Sequence, residues 1–113
     1  MSKHCFFMQV NPGSEEEYKR RHDEIWPELT AEILNAGIRN YSIFRRHTML
    51  VGYLECDEFS RSIELLNSSP VMKKWGEFMA PIMSAEIDQE TSFPVQGSIV
   101  WSLDEGKPKE ELP

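Results

Sequence analysis

Tyr18, His22 and Trp26 stand four residues apart within a stretch of helical pattern over residues 15–35. In a helix, such positions lie one above another on a single face. Leu29, Ile33 and Leu34 continue that side as an apolar stripe. Glu16, Lys19, Arg20, Asp23 and Glu24 fall mostly elsewhere and read as the wetter side. One titratable ring and two aromatics therefore point at the core or at a cavity. Of the three histidines in the chain, only His22 has a defined aromatic setting.

Pro27 interrupts this stretch. Inside a helix it would remove a backbone donor and crowd the carbonyl of Asp23, at a cost of roughly 3 kcal/mol. Two arrangements fit. Either the helix bends just after His22, or one helix ends near Trp26 and a second starts with Pro27 in its first turn.

Cys5 to Val10 reads as a strand, with Phe6, Met8 and Val10 on one face and Cys5, Phe7 and Gln9 on the other. Asn11-Pro12-Gly13-Ser14 is a turn signal. Ser14, with Glu17 three residues on, predicts a capping box at the helix start. Ala36-Gly37 predicts its end, glycine being suited to the left-handed cap. Residues 40–45 and 48–55 read as strands joined at Arg46-His47. Both faces of the second are largely apolar, which predicts a central strand covered on both sides.

A helix carrying Phe59, Ile63 and Leu66 inward follows. Asn67-Ser68-Ser69-Pro70 breaks it, and another helical piece spans residues 71–83. Residues 84–97 are polar, without clear period, and read as an extended loop. Residues 97–103, with Ile99 and Trp101, read as a last strand. Strand–helix–strand thus occurs twice. That order predicts an α+β, ferredoxin-like split β-α-β fold, with an antiparallel sheet and helices on one face. Residues 1–103 form one domain in this reading, and residues 104–113 a polar C-terminal tail.

The second face of such a sheet would be lined by Phe6 or Phe7, Ile43 or Phe44, and Val100 or Trp101. An apolar sheet face of that size on a small protein predicts association, most economically as a homodimer.

A net charge of −7 disfavours nucleic acid and anionic membrane as partners. No apolar run reaches the ~18 residues of a membrane span, and the N-terminal stretch is too short for a secretory signal. Cytoplasm is the default location. Cys5 and Cys56 read as buried thiols. No zinc spacing, phosphate loop or nucleophile elbow occurs, so no metal and no cofactor is expected.

His22 can do general acid–base work near neutral pH; it can equally be a satisfied histidine at a helix–sheet contact. Tyr18 can orient it or bind a substrate hydroxyl, or it can be an interfacial aromatic with its hydroxyl in water. Trp26 and Trp75 are core aromatics or platforms for the apolar face of a sugar. Tyr41, beside the helix end, can present its hydroxyl to the same cavity. His4 and His47 have no supporting constellation and read as surface residues.

Phe7 to Pro12, Glu17-Tyr18 through Arg21-His22, Ile25 to Leu29, Gly37 with Asn40-Tyr41, and Trp75 with Phe78-Met79 together resemble the L-rhamnose mutarotase family. The resemblance covers most of residues 5–83 and is most specific over residues 18–29. It implies a ferredoxin-like fold, a dimeric α+β barrel, and cofactor-free exchange of the α and β anomers of L-rhamnose. It implies His22 as catalytic proton donor, with Tyr18 acting beside it, and a monosaccharide site that includes Tyr18, Tyr41, Trp75 and Gly76. The family has two adjacent tryptophans at the last two positions; here the second is Gly76. That departure leaves open the same reaction on another 6-deoxy aldose such as L-fucose. A non-catalytic dimeric ferredoxin-like binding module is the reading of a different class. Cofactor-free oxygenase chemistry on an aromatic substrate shares the architecture, but Tyr18, Tyr41 and His22 count against it.

Overall fold

The central pairing of the sheet joins β1 (Ser2–Val10) to β3 (Met49–Cys56), antiparallel, with Phe6 opposite Gly52. The structure is a computed structural model, and it describes residues 1–103. The predicted tail at 104–113 lies outside the described residues. Between β1 and β3 come α1 (Glu15–Asp23), α2 (Pro27–Asn35) and β2 (Arg39–Arg46). After β3 come α3 (Phe59–Asn67), α4 (Pro70–Met79), a 3₁₀ turn (Ala80–Ile82) and β4 (Met83–Ser84). The short strands β5 (Ile87–Asp88), β6 (Phe93–Pro94) and β7 (Gln96–Gly97) follow. The sheet runs β2-β3-β1-β4 and is antiparallel throughout, the expected ferredoxin-like order.

Alternation along β1 turns Phe6, Met8 and Val10 inward, and β3 adds Leu50, Leu54 and Cys56. Leu29, Ile63, Leu66, Trp75 and Met79 meet them from the helices. Phe6 lies so close over Gly52 that a Cβ there would fall 2.2 Å from the ring. Glycine is therefore required in the middle of a strand where it is otherwise unfavourable. Cys56 is a buried free thiol and Cys5 a partly buried one.

The break at Pro27 takes the second of the two predicted forms. α1 stops at Asp23, Trp26 is extended, and Pro27 occupies the first turn of α2, where its missing donor costs nothing. Gly37 takes a φ of +87° just past α2, as a left-handed cap requires.

The expected capping box does not form: the Ser14 side chain makes no cap hydrogen bond. Glu17 is taken instead by Arg20 and Arg21, at 2.6 and 2.7 Å. Charge-assisted bonds from two guanidinium groups outcompete one backbone donor. α4, by contrast, is capped by Ser69, which accepts from the Met72 backbone and donates to Glu32.

Two expectations about the sheet need correction. Residues 98–103 form no strand. The free edge of β1 is shared by β4, at Gln9 and Val10, and β7, at Cys5 and Phe6. The stretch read as loop thus holds one interrupted edge strand, with the β5–β6 hairpin as the interruption. Residues 98–103 keep an apolar pattern, but pattern supplies faces and not backbone partners. The outer face of β3 is also not covered within one chain: Met49 is exposed, and Val51 and Tyr53 only half-buried.

Replacing Gly52 with Ala forces the methyl into the Phe6 ring. Urea denaturation should show a loss of roughly 2–3 kcal/mol, at the upper end of overpacking effects; an unchanged midpoint would contradict the contact.

Candidate active site

A cavity of about 590 Å³ opens between α1, α2 and β2. α1 contributes Tyr18 and His22, β2 contributes Tyr41, and α4 contributes Trp75. Ile25, Leu29, Ile33 and Met72 make much of the wall apolar, while Lys19, Asp23 and Asn40 add polar atoms. Phe93 of β6 closes one side, its ring 4.7 Å from that of Phe6.

The helical spacing of Tyr18 and His22 stacks their rings at 4.4 Å and 29°. Trp75 meets the imidazole edge-on at 5.3 Å. His22 Nδ1 lies 3.0 Å from the Tyr18 carbonyl oxygen. A carbonyl only accepts, so Nδ1 carries the proton and donates it. In the neutral ring the lone pair is therefore on Nε2.

Burial lowers the His22 pKa from its ordinary 6.5, against smaller opposing pulls from the Tyr18 carbonyl and Asp23. The ring is thus mostly neutral at pH 7. Burial acts on the phenols in the opposite direction. Tyr18, only 6 % exposed, is pushed up to about 12. Tyr41 rises well above the usual phenol range through burial of its hydroxyl, with Tyr18 adding to the effect. The residue as a whole is about a third exposed, so its hydroxyl end faces the protein. Both phenols remain hydrogen-bond donors across the physiological range.

Trp26 does not line the cavity. It packs edge-to-face on Trp75 at 5.1 Å and against Phe78 at 5.5 Å. Arg21 spans α1 and α4, stacking on Phe78 at 4.1 Å and donating to its carbonyl. Together these contacts hold Trp75 against His22. Gly76 lies outside the cavity lining, exposed on α4, with open space where a side chain would begin.

His47 is exposed, at positive φ in the β2–β3 turn. His4 is not simply a surface residue: it stacks on Phe59 at 4.2 Å and bonds Gln96. Among the described residues, no three His, Cys, Asp or Glu side chains converge as a metal site would require.

The sequence reading did not place Asn40 and Phe93 at the cavity, and it put Lys19 and Asp23, which also line it, on the wetter side of the helix. Asn40 takes a φ of +51°, which asparagine tolerates better than most residues. An asparagine at a strand start is a signal that could have been read. Phe93 sat in a stretch with no periodicity to betray it.

The family model for L-rhamnose mutarotase matches residues 3–103. The chain belongs to that family. A relative named L-rhamnose mutarotase from Rhizobium johnstonii is 43% identical over 102 residues, covering 88% of this chain and 92% of the relative. One of the same name from Oceanobacillus iheyensis is 38% identical, covering 78% and 86%. The crystal structure of an L-rhamnose mutarotase from Formosa agariphila superposes with a TM-score of 0.73 at 30% identity, covering 91% of this chain and 99% of that one. The tetracenomycin F2 cyclase of Streptomyces glaucescens superposes at 0.58 with 18% identity, a likeness of fold alone.

The His22 geometry makes a pH prediction. The unfolded chain takes this proton near 6.5 and the folded one only at lower pH. Between those limits the unfolded state holds more protons, so the residue's share of stability is intact above 6.5 and falls as pH drops through the window. NMR titration should place the His22 pKa below 6.5, with the Nδ1–H tautomer above it. A value above 6.5 would contradict the burial.

Proposed function

We propose that this chain is an L-rhamnose mutarotase, an isomerase that interconverts the α and β anomers of its sugar, and that His22 carries the proton transfers. Family membership supports the reaction, since the relatives bear that name. The observation that carries the role of His22 is its bond to the Tyr18 carbonyl. With Nδ1 occupied, Nε2 is the atom left for substrate, on a neutral ring in an aromatic cavity.

Mutarotation breaks the bond between C1 and the ring oxygen and remakes it on the other face of C1. Opening removes a proton from the anomeric hydroxyl and delivers one to the ring oxygen. Both oxygens are attached to C1, so one nitrogen can serve them in turn. Nε2 accepts the anomeric proton, and the imidazolium protonates the ring oxygen as the C1–O bond breaks. The product is the open aldehyde with a free hydroxyl, and His22 is neutral again. Rotation about C1–C2 and reversal of the steps give the other anomer. Such catalysis contributes about 10²–10⁴-fold.

Tyr18 and Tyr41, held protonated by burial, donate hydrogen bonds to sugar oxygens. Trp75 presents its ring to the sugar's C–H face. The apolar wall of Ile25, Leu29 and Ile33 suits the methyl group of a 6-deoxy aldose. Gly76 stands where the family has its second tryptophan, and that departure keeps L-fucose as a second reading of the substrate, although Gly76 lies outside the cavity lining.

Two copies would pair through the outer sheet face. There Phe7, Val51 and Phe44 form one row across three strands by register, with Phe7 39 % and Phe44 64 % exposed. Burying such a row favours a homodimer. The net charge gives no support to nucleic-acid binding. No described helix is long and apolar enough to cross a membrane, and a cytoplasmic location accords with a sugar isomerase.

Saturation-transfer NMR on a panel of aldoses should show anomer exchange fastest with L-rhamnose. His22→Gln should lose about 10²–10⁴-fold of the rate. The wild-type rate should fall in acid with an apparent pKa below 6.5 as Nε2 becomes protonated. Exchange that favours L-fucose would move the assignment to that sugar, and an unchanged His22→Gln rate would end the mechanism. In sedimentation velocity, wild-type protein should run as a dimer and Phe44→Glu as a folded monomer; a monomeric wild type would remove the dimer.

A further inference from the structure

β2 is one edge strand of the sheet, and its ladder to β3 is interrupted where Tyr41 leaves it. Arg39 pairs with Glu55 and Ser42 with Tyr53, so β2 carries one residue more than β3 over this interval. Asn40 and Tyr41 have no ladder partner there. This is a β-bulge, a device that re-aims side chains beside functional sites. Asn40 takes the left-handed conformation that opens it.

An unpaired bulge on a sheet edge has little backbone reason to stay in place. Here it is held through side chains. Asn40 Nδ2 donates to Glu55 Oε1 at 2.7 Å, and the Tyr53 hydroxyl donates to Glu55 Oε2 at 2.5 Å. These two bonds, the Tyr53 one first, hold the Glu55 carboxyl below its usual pKa. Arg39, opposite Glu55 in the register, donates to the carbonyls of Leu34 and Ile38, so side chains fix the start of the bulge and the Ser42–Tyr53 pairing resumes the ladder after it.

Glu55 alternates with the buried Leu54 and Cys56, on the face of β3 away from the helices, and does not line the cavity. Asn40 does line it, and Tyr41 follows directly. The Tyr41 ring meets the edge of Phe6 at 5.8 Å.

We infer that Glu55 is a positioning residue for the sugar site: from the outer face of the sheet, it fixes the Asn40 bulge and so aims the Tyr41 hydroxyl into the cavity. The inference rests on the proposed role of Tyr41 in holding substrate. It adds a residue that touches neither sugar nor His22. A tether of this kind acts on substrate grip and not on the proton transfer, because His22 is oriented separately by Tyr18.

The test compares Glu55→Ala, Glu55→Gln and Asn40→Gly in the full chain. Glycine keeps the left-handed backbone of Asn40 and removes its bond to Glu55 along with its side chain at the cavity rim. Glu55→Ala should raise KM for L-rhamnose about 10–100-fold, as a small misplacement of a binding group does. It should leave kcat within a few-fold and the acid limb of the pH profile unmoved. Glu55→Gln, which keeps an oxygen acceptor, should recover part of the loss. The double variant Glu55→Ala/Asn40→Gly should be no worse than Glu55→Ala alone, which already breaks the bond to Asn40.

A second readout needs no sugar. The chain has three tyrosines, so ring-¹³C tyrosine labelling with Tyr→Phe assignments follows Tyr41 directly. Its signal should shift or broaden in Glu55→Ala. The inference is overturned if the KM and the Tyr41 signal are unchanged, if the two single variants add in the double one, or if raising protein concentration restores activity, which would assign the loss to dimer dissociation. A wild-type protein that exchanges no sugar anomers would defeat the functional reading alone, leaving the Tyr41 signal to decide the tether.

Discussion

The contact between the Phe6 ring and Gly52 sets the geometry on which the site depends. It lies at the centre of the β1–β3 pairing, where any side chain on residue 52 would collide with the ring. The ring then serves as a common packing surface beneath the site. Tyr41 meets it at an edge and Phe93 from another side, at 5.8 and 4.7 Å. Two cavity residues from distant parts of the chain therefore take their position from one core aromatic. Interior packing is dense enough that a shift in this ring would be passed on to both.

Burial does opposite things to the two kinds of titratable group here, and both effects favour neutral forms. It lowers the imidazole and raises the phenols. For His22 the carbonyl of Tyr18 and the charge of Asp23 oppose desolvation but do not overcome it. The cavity therefore holds a mostly neutral imidazole at pH 7, with one free lone pair, beside two phenolic donors, which suits the uncharged sugar of the proposed reaction.

What could be read from the sequence was set by local periodicity. Alternation at Phe6, Met8 and Val10 and the four-residue spacing of Tyr18 and His22 predicted inward faces, and the structure has them. The strand order of the ferredoxin-like fold followed from the element order. The errors arose where the outcome depended on which partner won. Ser14 had the right spacing for a capping box, yet Glu17 had two arginines within reach. Residues 97–103 had a strand-like pattern, yet β4 and β7 already occupied the edge of β1. The Asn40 bulge depends on a carboxylate fifteen residues away, which no local window contains.

Placing Tyr41 on a bulged edge strand has a physical logic. A residue inside a regular ladder has its direction fixed by the pleat, and only alternate positions can face the helices. A bulge breaks that alternation and lets adjacent residues serve different purposes: the Asn40 side chain bonds Glu55 while Tyr41 turns to the cavity. Freedom gained this way has to be limited again, since backbone pairing no longer supplies the restraint. The side-chain bond between Asn40 and Glu55, and that from Arg39 to the end of α2, replace it. Under the readings proposed above, the outer sheet face would serve two ends: its apolar row would receive the second copy, and Glu55 would restrain the wall of the cavity on the opposite side of the sheet.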